Sequence, residues 1–189
     1  MARLIYTAIA SLDGYVADEQ GNWDWSMPDD EVHAYVNEYE GEVGTYLLGR
    51  RMYEVLSAWE DPKMRADENA VIRDYAEVWL ASDKIVYSRT LDEVTTARTT
   101  LEREFDPDAV RALKQSGERD LAIGGPGLAA QALAAELVDE VRLLLSPVIV
   151  GGGNAALPDG LRLDLELAEQ RRFANGVVAL NYRVSSENP

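Results

Sequence analysis

The residues best equipped for chemistry in this 189-residue chain fall into three short glycine- or arginine-bearing segments and a pair of early acids. Leu48-Gly49-Arg50-Arg51-Met52 puts a glycine and two guanidiniums where a strand should turn into a helix. Arginine makes paired hydrogen bonds to phosphate, and cations at a helix N-terminus oppose its dipole unless an anion is bound. Tyr87-Ser88-Arg89-Thr90 sets a guanidinium between two hydroxyls after a strand-like run. That set can hold a phosphate monoester such as the 2′-phosphate of NADP. Gly124-Gly125-Pro126-Gly127 follows another apolar run and opens an Ala-rich helix. Backbone N–H groups at a helix start favour phosphate, and glycines allow close approach. Each segment also has a plain reading, as a tight turn, a hydroxyl-capped turn or two surface arginines.

The acids are Asp13, in Ser11-Leu12-Asp13-Gly14, and Asp30, in the first turn of the first helix. Asp-Gly is common turn chemistry, and an acid at a helix start is favoured by the dipole. His33, one turn past Asp30, reads as a surface histidine. Gly125, Gly127 and Ala130 satisfy G-x-G-x-x-[G/A], but that dinucleotide fingerprint belongs to a first βαβ unit with an acid about 20 residues further on. Here the next strand ends in Leu145-Ser146-Pro147, with too little chain left.

These residues need elements to position them. Arg3 to Ala10 reads as a strand, and Tyr15 to Ala17 as its short continuation. Ser26 and Pro28 mark a helix start, and Val32, Tyr35, Val36 and Tyr39 share one helical face up to Gly41. Thr45 to Leu48 is a strand, followed by helices over Arg50 to Ala58 and Ala66 to Leu80. Strands are expected over Lys84 to Tyr87 and Thr96 to Thr99, and a helix from Asp106-Pro107 to Gln115. Asp120 to Ile123 is a strand, the next helix runs to Leu137, and Val141 to Leu145 has the continuous apolar run of a strand buried on both faces. Leu163 to Phe173 and Val177 to Val184 flank Asn175-Gly176, a hairpin signal. The alternation predicts an α/β fold over 1–189 as one domain, with a mostly parallel sheet and a C-terminal antiparallel hairpin. In such sheets ligands bind outside the carboxyl ends of the strands, where the three segments lie.

Composition narrows the chemistry. Asp plus Glu number 34 against 18 Lys plus Arg, a formal charge of −16. That argues against nucleic acid or an anionic membrane as partner. Cysteine is absent and histidine occurs once. This removes disulfides, thiolate metal sites, cysteine nucleophiles and the zinc deaminase signature, and leaves no metal site expected. No apolar run reaches the length of a membrane span, and the start lacks a signal-peptide core, so a cytoplasmic protein is expected.

In order and spacing, Ser11-Leu12-Asp13-Gly14-Tyr15-Val16-Ala17, Leu48 to Glu54, Lys84 to Thr90, Gly124 to Gly127 and Ser146 to Gly153 resemble the dihydrofolate reductase-like superfamily. The closer resemblance is to the RibD C-terminal reductase domain of riboflavin biosynthesis and its stand-alone relatives. The resemblance implies a three-layer α/β/α sandwich and NADPH-dependent hydride transfer to a pterin-like or pyrimidine-type small molecule. By it, the backbone of Ala8 and Ala10 would border the nicotinamide. Gly49, Arg50, Arg51 and Met52, with Gly124, Gly125, Pro126, Gly127 and Leu128, would hold the cofactor phosphates. Ser88, Arg89 and Thr90 would meet the adenosine 2′-phosphate. Trp25, Pro28 and Asp30 match the dihydrofolate reductase spacing of Trp-x-x-Pro and an early-helix carboxylate. Asp30 is therefore the first candidate to grip the substrate or guide a proton, and Asp13 the second. A homodimer is also expected. Few bases remain for a substrate phosphate: Arg142, Arg162 and Arg172 are candidates, each otherwise a solvated strand-face residue. The competing reading is a non-catalytic nucleotide-binding or interaction protein that keeps the fold.

Overall fold

A computed structural model describes residues 1–185. Its first strand, β1 (Leu4–Ser11), carries Leu4, Tyr6, Ala8 and Ala10 into one core and Ile9 into another. A strand buried on both faces calls for helices above and below it. Around it run β3 (Val43–Gly49), β4 (Asp83–Tyr87), β5 (Thr99–Glu102), β6 (Asp120–Gly124) and β7 (Glu140–Ser146). These six are parallel, in the order β5-β4-β3-β6-β1-β7. Beyond β7 the sheet continues antiparallel through β10 (Val178–Val184) to β9 (Leu165–Arg172), whose residues are all exposed. A separate ladder pairs β2 (Tyr15–Ala17) with β8 (Asn154–Ala155).

One face is covered by α1 (Asp30–Glu40) and α4 (Ala70–Ala81). Val32 and Tyr35 meet Leu144, Phe173 and Ala179, while Trp79 meets Val43, Tyr46, Leu48 and Val86. The other face is covered by α5 (Pro107–Ser116) and α6 (Pro126–Ala134), where Val110, Leu128, Ala129, Ala132 and Leu133 pack on Leu4, Tyr6, Leu121 and Ile123. The α/β/α layering and the parallel sheet with a terminal hairpin thus match expectation. Among the described residues no helix is long and apolar enough to cross a membrane.

Several details depart from the sequence reading. Asp29, not Ser26, caps α1: its Oδ1 accepts from Val32 N–H at 3.0 Å, while the Ser26 hydroxyl donates to the Trp23 carbonyl within a 3₁₀ turn. The helix expected over Arg50 to Ala58 is α2 (Arg50–Leu56), tightened afterwards into a 3₁₀ turn over Ser57–Glu60. The helix expected from Ala66 begins only at Ala70, where Asn69 caps α4, and a separate short helix that was not expected, α3 (Pro62–Arg65), is capped by Asp61 just before it. β5 starts at Thr99 because the Thr96 N–H is spent on the Tyr53 hydroxyl. α6 stops at Ala134, and Glu136 turns left-handed at φ 55°.

Two side chains are corrected from exposed to buried. His33 is only 9% exposed, its ring centroid 5.7 Å from Trp59 and 5.6 Å from Tyr75, because α4 and the turn before α3 close over α1. Arg142 is not solvated either. β10 and β9 make β7 an internal strand, so the guanidinium lies 4.2 Å over the Tyr39 ring and donates from Nε to Glu140 Oε1 at 2.6 Å.

Candidate active site

The sheet opens at one place. β1 pairs with β7 from Ile5↔Glu140 to Ser11↔Ser146, but its pairing with β6 ends at Tyr6↔Ile123. β6 stays with β3 as far as Leu48↔Gly124, then turns into α6. Gly125 makes that turn at φ +98°, a conformation costly for any residue with a Cβ, and Pro126 starts the helix. The helix after β1 lies on one face and the helix after β6 on the other, so adjacent strands send their chains apart. A crevice opens at such a switch point, at the carboxyl ends of the strands. The backbone of Ala8 and Ala10 lies along its β1 side.

The phosphate-capable segments gather around that opening. Gly49 and Gly125 lie together: a Cβ on Gly125 would sit 3.9 Å from the Gly49 backbone and 3.7 Å from Met52 Cβ. A Cβ on Gly124 would come within 2.9 Å of Met52 Cγ, and one on Gly127 would meet nothing within 4 Å. Leu128 turns inward and is buried under α6. The result is a floor of bare backbone at the start of α6, a surface that fits an anionic group.

Arg50 ties two segments, donating from Nη1 to Thr90 Oγ1 at 2.9 Å and from Nε to Glu54 Oε1 at 2.7 Å. Ser88 is buried, and its Oγ accepts from the Thr90 and Leu91 N–H groups, which holds the turn. That turn leaves Arg89 outside. Among the described residues neither Arg51 nor Arg89, both exposed, has an ion-pair partner, in a chain of formal charge −16. Free guanidiniums beside bare glycine backbone suit a dinucleotide carrying several phosphates.

The two acids are placed separately. Asp13 accepts from Val150 N–H at 3.1 Å and Gly151 N–H at 2.8 Å, so it latches the end of β1 to the glycine loop after β7. The Ser11 hydroxyl, with the Gly151 and Val150 N–H groups, holds its carboxyl below the usual carboxylate range. Asp30, exposed at the start of α1, accepts from Asn69 Nδ2 at 2.7 Å and so joins α1 to the cap of α4.

Of two buried polar atoms on or against β1, Thr7 escaped sequence reasoning and Trp25 entered it only through the Trp-x-x-Pro spacing. Thr7 Oγ1 on β1 and Trp25 Nε1, in the 3₁₀ turn packed against β1, are buried with no hydrogen-bond partner among the described residues. The one visible signal for Thr7 was the residue itself, an aliphatic hydroxyl inside an otherwise apolar and aromatic run.

The family model described as the RibD C-terminal domain matches residues 2–179. The chain belongs to the RibD C-terminal domain family. Among its curated relatives is the uncharacterized protein YyaP of Bacillus subtilis (strain 168), 24% identical over 181 residues that span 95% of this chain and 94% of that protein. Among solved structures, this RibD C-terminal domain is similar to a putative riboflavin biosynthesis protein from Shewanella sp. PV-4. The TM-score is 0.74 at 21% identity, over 98% of this chain and 99% of that one. It is also similar to a pyrimidine reductase-like protein from Corynebacterium diphtheriae, with a TM-score of 0.71 at 15% identity over 98% and 93% of the two chains. A Thermotoga maritima diaminohydroxyphosphoribosylaminopyrimidine deaminase and 5-amino-6-(5-phosphoribosylamino)uracil reductase aligns with a TM-score of 0.65 at 17% identity. That alignment covers 97% of this chain but 57% of the Thermotoga chain. The family thus includes reductases of riboflavin biosynthesis.

Proposed function

We propose that this RibD C-terminal domain is an NADPH-dependent reductase acting on a pterin-like or pyrimidine-type small molecule. The observation that carries the reading is the split between β1 and β6 past Tyr6↔Ile123, flanked by Gly49, Gly124 to Gly127 and the exposed Arg51 and Arg89. When bound, NADPH supplies a hydride, so that the acceptor's C=N bond gains that hydride and a proton and NADP⁺ remains.

The chain's own residues bind, orient and shield. Gly49, Gly124, Gly125 and Gly127 offer backbone to the phosphates, and Arg50, Arg51 and Arg89 neutralise them. Thr90 fixes Arg50, and the buried Ser88 fixes the loop that presents Arg89. The free edge of β1 at Ala8 and Ala10 gives the nicotinamide a flat main-chain wall. The Asp13 latch holds the glycine loop after β7 against the end of β1, which limits water at the carboxyl ends of these strands. Asp30 is the carboxylate assigned to the substrate, gripping a ring N–H or passing a proton.

A second reading has one observation in its favour. Asp30 is exposed and already engaged by Asn69, a placement that serves helix packing without chemistry. In that reading the protein binds a nucleotide and does not turn it over. The deciding experiment is titration of the purified protein with NADPH, followed by tryptophan fluorescence from Trp23 and Trp25 and then by NADPH consumption with pterin and pyrimidine acceptors. Quenching with consumption supports the reductase, quenching alone supports the second reading, and no quenching at millimolar NADPH removes the reductase reading.

A further inference from the structure

We infer that the substrate taken at this site carries no phosphate and is a neutral or cationic flat heteroaromatic molecule with an apolar edge. This rests on the reductase reading above. The segments that lead out of the strand ends around the crevice differ in their basic residues. The cofactor side carries Arg50, Arg51 and Arg89. The other side is built from residues 11–29 after β1 and 146–160 after β7, and neither segment contains a single Lys, Arg or His. Between them they hold Asp13, Asp18, Glu19, Asp24, Asp29 and Asp159. A phosphate arriving there would meet carboxylates and no countercharge, and like charges brought together are strongly disfavoured.

The same segments present apolar surface. Leu12 is 60% exposed, Met27 64% and Ile149 71%. Trp23 is also exposed. Leu12 and Ile149 lie on adjoining segments, because the Leu12 N–H donates to the Val148 carbonyl at 2.8 Å. Exposed apolar side chains on adjoining segments after the ends of β1 and β7 mark a surface that something else covers. Besides the Asp30 carboxylate, which repels phosphate, the polar atoms without a partner on this side, Thr7 Oγ1 and Trp25 Nε1, are neutral. An indole N–H suits a ring carbonyl or ring nitrogen, and a hydroxyl suits either a donor or an acceptor.

The arginines that could have answered a substrate phosphate are committed or remote. Arg142 is held by Glu140 and Tyr39 at the opposite, amino end of β7. Arg162 faces Asp164 at 3.8 Å. Arg172 reaches the correct end of the sheet but on β9, two strands out from β7, which is about 10 Å. Its neighbour Arg171 stacks on Tyr35 and Phe173 and faces Glu31.

The test uses matched pairs differing only in phosphate, a ribosylaminouracil against its 5′-phosphate and riboflavin against riboflavin phosphate, each titrated into the full chain saturated with NADP⁺. The unphosphorylated partner should bind at least about tenfold more tightly in one or both pairs. Ile149→Arg, which adds a cation to this side, should narrow or reverse that ratio while leaving NADPH affinity unchanged. Tighter binding of the phosphorylated member, equal binding of both, or binding of neither pair overturns the inference. NADPH binding is measured first and alone, so its absence would remove the reductase reading and not be mistaken for a failure of the substrate assignment.

Discussion

The carboxylate of Asp13 accepts the N–H of Gly151 at 2.8 Å, joining the end of β1 to the loop after β7 across 138 positions of sequence. The neighbouring Gly153 makes the same closure obligatory for glycine: at φ +135°, a Cβ there would lie 2.1 Å from the Ala17 carbonyl oxygen. Asp13→Ala should speed hydrogen exchange at Val150 and Gly151 while leaving the β1 amides as they were. Gly153→Ala should cost at least about 1–3 kcal/mol in urea unfolding, because backbone strain and a backbone collision act together. Since the Asp13 carboxyl is held below its ordinary range, the latch is present above the ordinary carboxylate pKa of 3.8 and is lost as pH falls through the lower native value.

Arg89 is expected to report on the cofactor's 2′-phosphate. Ser88 is turned inward to hold the loop, so Arg89 is the side chain left free to meet an anion. Arg89→Ala should weaken NADPH about tenfold and NADH little, the size expected of one exposed charge-assisted contact. Arg51→Ala should weaken both dinucleotides alike. Isothermal titration with the two cofactors separates these patterns, and equal losses for Arg89→Ala would contradict the assignment.

Asp30→Asn separates chemistry from packing. Asparagine can still accept from Asn69 Nδ2, so the link between α1 and the cap of α4 survives and the melting temperature should barely move. If Asp30 serves the substrate, turnover should fall about 100-fold or more with NADPH affinity intact. Unchanged turnover would leave Asp30 as a helix-packing residue.

Two buried groups give stability opposite slopes in pH. Burial holds the His33 imidazole below its ordinary value of 6.5, against an opposing pull from Asp30. The unfolded chain therefore takes the proton first as pH falls through 6.5, and stability declines until native His33 protonates too. Burial pushes the Glu40 carboxyl up, opposed by the Tyr46 hydroxyl and by Arg142. Its contribution is complete below 4.5 and fades as pH rises through the native value. Melting temperatures across this range should flatten on the acid side in His33→Phe, which keeps a ring against Trp59 and Tyr75. Glu40→Gln should remove the opposite slope.

How much was legible beforehand differs between β7 and its neighbours. The apolar run Val141 to Leu145 announced a strand buried on both faces, and it is one, with Val141 and Leu144 buried against helices on opposite sides. Yet Arg142 within that run looked solvated, because local pattern does not reveal that β10 and β9 cover it. His33 was misread for the same reason, since its burial depends on Trp59 and Tyr75, residues outside its own helix.

The sequence by itself determined the alternation of strands and helices, the terminal hairpin and the glycine and arginine loops at strand ends. These follow from periodicity and from what glycine and arginine alone can do over a few residues. Only the tertiary structure decided where the sheet splits, that Arg50 meets Thr90, that Asp13 latches Gly151 and that the exposed Leu12 and Ile149 lie on adjoining segments. Those relationships join segments up to 138 residues apart, and such pairings are set by the packing of the whole core, which no local window contains.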